Sequence, residues 1–410
     1  MRHFKVFLIG GCLMLTTNFL FSQQDFQGID GISTDNYPRV DGSTSTVPLN
    51  YIIAAKLLDL EYEWILDRTG EKIVQFKGEV PWDFAMKFQR SQTHGAIINL
   101  IDNQTDLIIV ARKMSADEKE YANNAGVSLI ETPIALDALD FILNAQNTVN
   151  SLSVEQIQNI YLGNITNWKE MGGADEAVIP FIRNPNSGSQ EMMNEFVMNN
   201  TGVPDWAALL PNAEELTLGS MYIVYSELGV NAYGICFTPH YYKEYMVGET
   251  FTDDKIKTLA VNGIMSDKTS IKNQKYPFVA PVYVSIRSDI DQNSMTYKLY
   301  EWLQSKSGKD VINESGYVPY GDYENNIIIR YYENELYIYP NPTGNQLTIE
   351  CRDAACHVPT VEIYSVVGQK LMQLICRDVI NHVSTIDVSH LANGMYYLKI
   401  DNKVVKFIKE

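Results

Sequence analysis

The stretch that most constrains this chain is Arg183 to Gln190, RNPNSGSQ. An apolar run, Val178 to Ile182, precedes it and reads as a short buried strand. Met192, Met193 and Phe196 follow at helical spacing. The order is therefore strand, polar loop, helix, with Ser187, Gly188 and Ser189 opening the helix. The first turn of a helix carries N–H groups without internal acceptors and a partial positive charge. Two hydroxyls and a glycine there let an oxyanion approach closely. Arg183 adds a planar cationic fork that fits tetrahedral oxyanions. Taken alone, the same residues also suit a plain helix cap beside a surface arginine.

Two further loops repeat the theme. Gly42-Ser43-Thr44-Ser45-Thr46 precedes Val47, Tyr51, Ala54 and Leu58, which recur at helical spacing. Ser91-Gln92-Thr93-His94-Gly95 precedes a helix with Ile97, Leu100 and Ile101 on one face. Before it, Ile73 to Phe76 reads as a strand and Pro81 to Arg90 as a helix with proline in its first turn. After it, Asp106 to Ala111 is a continuous apolar run of the kind buried on both faces in parallel sheets. Arg112 and Lys113 stand at its C-terminal end, the edge where open α/β sheets bind ligands. Strand–loop–helix units of a parallel sheet present their helix N-termini on that same edge. Three such termini can converge on one cleft.

The remainder fits an α/β chain crossing between lobes. Val127 to Ile130 reads as a strand, and Pro133 to Leu143 as a crossover. Ser153 to Tyr161 is a helix whose Ser153 and Gln156 form a capping box. Asn164 to Gly173 is a loop holding Trp168. Met221 to Tyr225 and Tyr233 to Phe237 bracket a turn around Gly229, and Tyr276 to Ile286 is the return crossover. Ser294 to Ser305 and Lys309 to Asn313 are helical. From about Tyr337 the texture changes to short alternating strands between Gly, Asn and Pro turns, an all-β module of sandwich type. The expected division is a signal peptide at 1–22, a first lobe at 23–133 and 276–320, a second lobe at 134–275, an acidic linker at 321–335 and the β module at 336–410.

Arg2, Lys5 and the apolar Val6 to Leu15 supply the signal peptide. Ile9-Gly10-Gly11-Cys12 has the order of a lipoprotein box, but only Val6 to Leu8 separate it from Lys5. The formal charge is −18, or −20 once Arg2 and Lys5 leave. That argues against a nucleic-acid or anionic-membrane partner but not against a small anion, because one Arg and helix ends act locally. Cys236 reads as a buried strand residue, while Cys351, Cys356 and Cys376 cannot all pair with one another. The six His show no metal-binding spacing, so neither metal nor cofactor is expected. No GxSxG accompanies the loop serines, which gives a serine hydrolase little support.

RVDGSTSTVPL, DLIIVARKMS, NITNWKEMGG, RNPNSGSQEMMNEF, YPFVAPVYVSIRSD and ESGYVPY, in this order, resemble the periplasmic phosphate-binding protein family of ABC phosphate uptake systems. The likeness covers about residues 37 to 320. It implies two α/β lobes with two crossovers closing on a dehydrated phosphate, and no chemistry. It implies that Arg183, Ser187, Gly188 and Ser189 contact phosphate, with Ser43, Thr44 and Ser45 as the first anion loop. Thr93 and His94 are the nearest candidates in the second loop. Where family members carry an Asp or Ser that touches the ligand, this chain has Val110 and Ala111. Arg112 then becomes a candidate second cation, and Asp41 the acid that could still reach the cleft. The C-terminal module, with YPNP, YSVVG, LANGMYYLKI and the basic Lys403, Lys406 and Lys409, resembles the type A sorting domain of type IX secretion. That resemblance implies type IX secretion machinery as a partner and a secreted or surface location. An ABC permease or an outer-membrane receiver would then take the ligand onward. The rival readings are a surface adhesin or assembly component that has lost its ligand, and a serine-dependent phosphoesterase.

Overall fold

The computed structural model describes residues 26–198, 201–203, 214–216, 221–247, 255–321, 336–339, 346–351, 360–365, 369–375, 383–400 and 403–409. The signal peptide, most of the linker, Pro340 to Pro342 of the YPNP turn, Cys356 and Cys376 lie outside them.

Strand β1 (Val40–Gly42) passes through one 3-10 turn (Thr44–Thr46) into helix α1 (Val47–Leu58). A hairpin of β2 (Tyr62–Leu66) and β3 (Lys72–Phe76) follows, then a single helical turn, α2 (Trp82–Ala85). The expected helix from Pro81 to Arg90 stops there. Phe88 instead pairs with Val40, and the Val40 N–H and carbonyl bond Lys87 O and Gln89 N. Pairing with the sheet edge satisfies both Val40 groups, and Phe84 and Phe88 still pack together beside Tyr37. Helix α3 (Gln92–Ile101) begins inside the second polar loop, so Thr93 and His94 stand in its first turn rather than before it. Strand β4 (Leu107–Val110) and helix α4 (Ala116–Asn124) complete this part.

Strand β5 (Leu129–Asn144) is one continuous crossover, where the sequence suggests a strand and then a separate crossing segment. Pro133 stands within it. β5 accommodates it with a bulge at Ile134, so that Pro133 and Ala135 face the consecutive residues Tyr283 and Val282. Beyond it come β6 (Ser151–Leu152), α5 (Val154–Tyr161), β7 (Ile179–Arg183), α6 (Gly188–Met192) running on as a π-helical stretch (Met193–Met198), and β8 (Glu214–Leu216). The α5 capping box forms as expected, with Ser153 Oγ accepting from Gln156 N and Gln156 Oε1 from Ser153 N. Helix α7 (Ile223–Val230) contains Gly229, which the sequence places in a turn. Val224, Tyr225 and Leu228 are buried on one side, and that packing outweighs the roughly 1 kcal/mol a mid-helix glycine costs. Strands β9 (Gly234–Pro239), β10 (Ile256–Val261), β11 (Val279–Arg287) and β12 (Val318–Pro319) finish the sheet, and Cys236 is buried in β9.

The main sheet runs β1-β4-β11-β5-β9-β7-β8. β1 is parallel to β4, and β7 is parallel to β8 and β9. Between these two parallel portions lie the antiparallel crossovers β5 and β11, paired from Val279 opposite Ala138 to Arg287 opposite Leu129. This is the expected α/β fold: two lobes of a periplasmic-binding-protein type with two crossover strands. Trp168 is wholly buried and donates to Tyr233 O at 2.8 Å, so the NITNWKEMGG motif serves the second lobe's core.

The C-terminal strands form a three-stranded and a four-stranded sheet. Leu347 and Ile386 from the first share one core with Val361, Ile363, Leu398 and Phe407 from the second. That is the expected β sandwich. Among the described residues no helix is long and apolar enough to cross a membrane.

Candidate anion-binding site

The first loop is held by backbone contacts that only its small residues permit. A Cβ on Gly42 would lie 2.4 Å from Ile109 O, so the end of β1 lies against β4 only as glycine. Ser43 N–H donates to Ile109 O, and Ser43 O accepts from Thr46 N and Val47 N. Ser43 Oγ accepts from Ala111 N at 3.0 Å and shares a 2.7 Å hydrogen bond with Thr93 Oγ1. The backbone N–H groups of Thr44 and Ser45 open the turn, where helical geometry provides no internal acceptor. Tyr317, in the ESGYVPY segment, donates its hydroxyl to Ser45 O at 2.9 Å and stacks on Tyr241.

The third loop closes on itself in the same way. Ser187 caps α6 by accepting from Gln190 N, and Gln190 Oε1 accepts from Arg183 N at 2.9 Å. Gly188 faces Thr93 so closely that a Cβ there would sit 2.4 Å from Thr93 Oγ1. The loops of the two lobes therefore touch, and one cavity lies between them. Of the residues expected from sequence, it is lined by Ser43, Thr44, Ser45 and Thr93 from one lobe and by Arg183, Ser187, Gly188 and Ser189 from the other.

Arg183 is 5% exposed, and its guanidinium contacts Met221 Sδ at 3.3 Å from Nη1. Its Nε has no partner, and no described carboxylate pairs with it. Burial pushes the guanidinium below its ordinary value, only partly opposed by Cys236 and Tyr242. A buried cation without a counterion is costly. An anion in this cavity would supply the missing charge.

Two expected residues do not line the cavity. Arg112 is 2% exposed and forms a bidentate pair with Glu118, at 2.6 and 2.9 Å. His94 Nδ1 lies 2.7 Å from Glu118 Oε1. Burial raises the Glu118 carboxyl, but the Arg112 bonds and charge outweigh that and hold it below the usual range. Arg112 also donates to Asn186 O at 3.2 Å, and Asn186 Nδ2 to Asp117 Oδ2 at 2.9 Å. It thus ties the third loop to the first lobe instead of facing the cleft. Asp41 does not reach the cleft either. It is fully buried, with Oδ1 accepting from Gly42 N and Ser91 N, and Oδ2 from Asn99.

Gln92, Ala111, Met221 and Pro239 also line the cavity. Gln92 and Ala111 fall within stretches the sequence marks, but neither has a side chain that points to an anion. Met221 and Pro239 arrive from distant segments with no local signal. Among the described residues the lining thus offers one cation, hydroxyls and helix N-termini, and no carboxylate. Among the described residues no cluster of His, Cys, Asp and Glu suits a metal ion.

Two lobes joined by paired crossovers, with a donor-lined cavity between them, define a solute-binding architecture. Residues 69–307 match the PBP superfamily domain, and the chain belongs to that superfamily. Residues 337–410 match the secretion system C-terminal sorting domain, which marks the chain for export and cell-surface sorting. The chain is 24% identical over 190 residues to the phosphate-binding protein PstS of Borreliella burgdorferi, covering 46% of this chain and 65% of that protein. It is 22% identical over 208 residues to the phosphate-binding protein PstS of Bacillus subtilis, covering 50% and 62%. The chain thus spans just under two thirds of the length of either relative. It is also similar to an ABC-type phosphate transport receptor from Vibrio cholerae, with a TM-score of 0.47 and 21% identity over 68% of this chain and 98% of that one.

Proposed function

We propose that this chain is an exported binding protein that captures phosphate, or a similar tetrahedral oxyanion, between its two lobes and performs no chemistry on it. The lobes are taken as residues 23–133 with 276–320, and 134–275. The observation that carries the reading is Arg183, a buried cation with no carboxylate partner that lines a cavity ringed by hydroxyls and two helix N-termini. The ligand contacts would be Arg183, the Ser187, Gly188 and Ser189 turn, the Thr44 and Ser45 N–H groups, and Thr93. Arg112 and His94 act behind them by way of Glu118. The serines support binding over hydrolysis. Ser43 Oγ is bonded by Ala111 N and Thr93, Ser187 Oγ accepts from Gln190 N, and among the described residues no His or carboxylate lines the cavity. Delivery to the surface through the sorting domain requires the type IX secretion machinery. The ligand would then pass to a receiver at the outer membrane or to a permease. Calorimetric titration of inorganic phosphate into the purified protein tests the reading. Saturable one-to-one binding is expected. No heat and no competition with any tetrahedral oxyanion would return the chain to the adhesin class.

A further inference from the structure

A second cavity adjoins the anion cavity and shares Thr44 and Gln92 as lining residues. The two differ in size. The first measures about 30 Å³, room for a small ion and little more, while the second measures about 260 Å³, room for a short organic group. An inorganic ion would fill the first and leave the second to water. The walls of the second are mixed. Val47, Pro48 and Ile73 supply an apolar side, and Asp67, Glu71 and Arg90 a charged one. Asp67 Oδ1 accepts from Thr69 N, Thr69 Oγ1 and Glu71 N, which holds the carboxylate in place at the cavity wall. Arg90 lies over the Tyr51 ring, 5.5 Å from its centroid, and forms no ion pair among the described residues. Glu71 accepts from Tyr242 OH, and Met246 lines the cavity too, so both lobes close over it.

We propose that the physiological ligand is a phosphate monoester of a small polyhydroxylated alcohol. Its phosphoryl group occupies the anion cavity and its alcohol part the adjoining one. This rests on the reading that the first cavity takes a tetrahedral oxyanion, and it names the class of that oxyanion. Three terminal oxygens of the ester meet Arg183 and the two helix N-termini. The ester oxygen leaves past Thr44 and Gln92, which are neutral. A hydroxylated chain suits the second cavity because hydroxyls both donate and accept. They can donate to the Asp67 carboxylate and accept from Arg90 and Gln92, while the carbon chain lies along Val47, Pro48 and Ile73.

The test is calorimetry on the full chain with three probes: inorganic phosphate, glycerol 3-phosphate and glycerol. Glycerol 3-phosphate is expected to bind at least tenfold more tightly than phosphate, and glycerol not at all. Thr69 is exposed and lines only the second cavity. Thr69→Trp should bring the ester down to the phosphate level while phosphate moves less than twofold. If that variant does not fold, Arg90→Ala should weaken the ester at least threefold and leave phosphate unchanged. Phosphate binding with no preference for the ester, or a Thr69→Trp loss shared equally by both, overturns the inference and leaves the oxyanion reading standing. Binding of neither probe overturns both.

Discussion

Replacing Arg183 with Met separates a ligand-binding role from a structural one, because the two predict opposite signs. Arg183 is 5% exposed, has no carboxylate partner among the described residues, and its Nε is unpaired. Without ligand its charge opposes folding, so Arg183→Met should leave stability unchanged or raised. With ligand it should supply a charged hydrogen bond of about 1.5–3 kcal/mol. Its loss should therefore weaken phosphate binding by roughly 10- to 150-fold. Ligand-linked stabilisation gives a second reading of the same quantity. At a phosphate concentration 100 times the wild-type dissociation constant, wild type gains about 2.7 kcal/mol. A variant weakened 100-fold gains only about 0.4 kcal/mol at that concentration. Urea unfolding with and without phosphate, together with calorimetry, measures both. If unliganded Arg183→Met loses more than about 1 kcal/mol while its phosphate affinity holds, Arg183 supports the fold, and the reasoning from its missing counterion is wrong.

Glu118→Gln leaves the buried Arg112 without a counter-charge and should cost about 3–5 kcal/mol in urea unfolding; a loss under about 1 kcal/mol would show that the pair is dispensable. A cavity whose described acceptors are neutral hydroxyls and no carboxylate should separate phosphate from sulfate only weakly, by on the order of tenfold or about 1.4 kcal/mol, with the preference for phosphate growing from pH 6 to pH 8. Sulfate that fails to compete at thousandfold excess would reveal a charged acceptor. Burial pushes the Asp137 carboxyl in β5 up to about 6, partly opposed by His240 and by the N–H groups of Tyr241 and Ala138. The folded state therefore holds that proton more tightly than the unfolded chain. The stability this gives is fully present below the ordinary value of 3.8 and is lost as pH rises through about 6. The stability of Asp137→Asn relative to wild type should accordingly rise by up to about 3 kcal/mol between pH 4 and pH 7. A difference that stays flat with pH would contradict the assignment.

The parts of the site that were legible in the sequence are those encoded within a few residues. Arg183 and the Ser187 to Ser189 turn sit in one short stretch, and their strand–loop–helix order follows from an apolar run, a cap and helical spacing. The same holds for Ser43 to Ser45 before α1. What was not legible depends on contacts between distant residues. Glu118 captures both Arg112 and His94 from helix α4, and no sequence motif marks those contacts. Asp41 looks free to reach the cleft until Ser91 N and Asn99 are seen to hold it. Pro133 hides the continuity of β5 because the strand bulges at Ile134, directly after it, and keeps its pairing with β11, some 150 residues later by the chain numbering. Met221 and Pro239 reach the cavity only through the folding of the second lobe.

The central claim is that donors from both lobes converge on one tetrahedral anion. A crystal structure of the protein grown with phosphate tests it most directly. The account predicts one tetrahedral ion in the cavity between the lobes, within hydrogen-bond distance of the Arg183 guanidinium, the Thr44 and Ser45 N–H groups and the Gly188 and Ser189 N–H groups. An ion bound elsewhere on the chain, with this cavity holding only water, would contradict it.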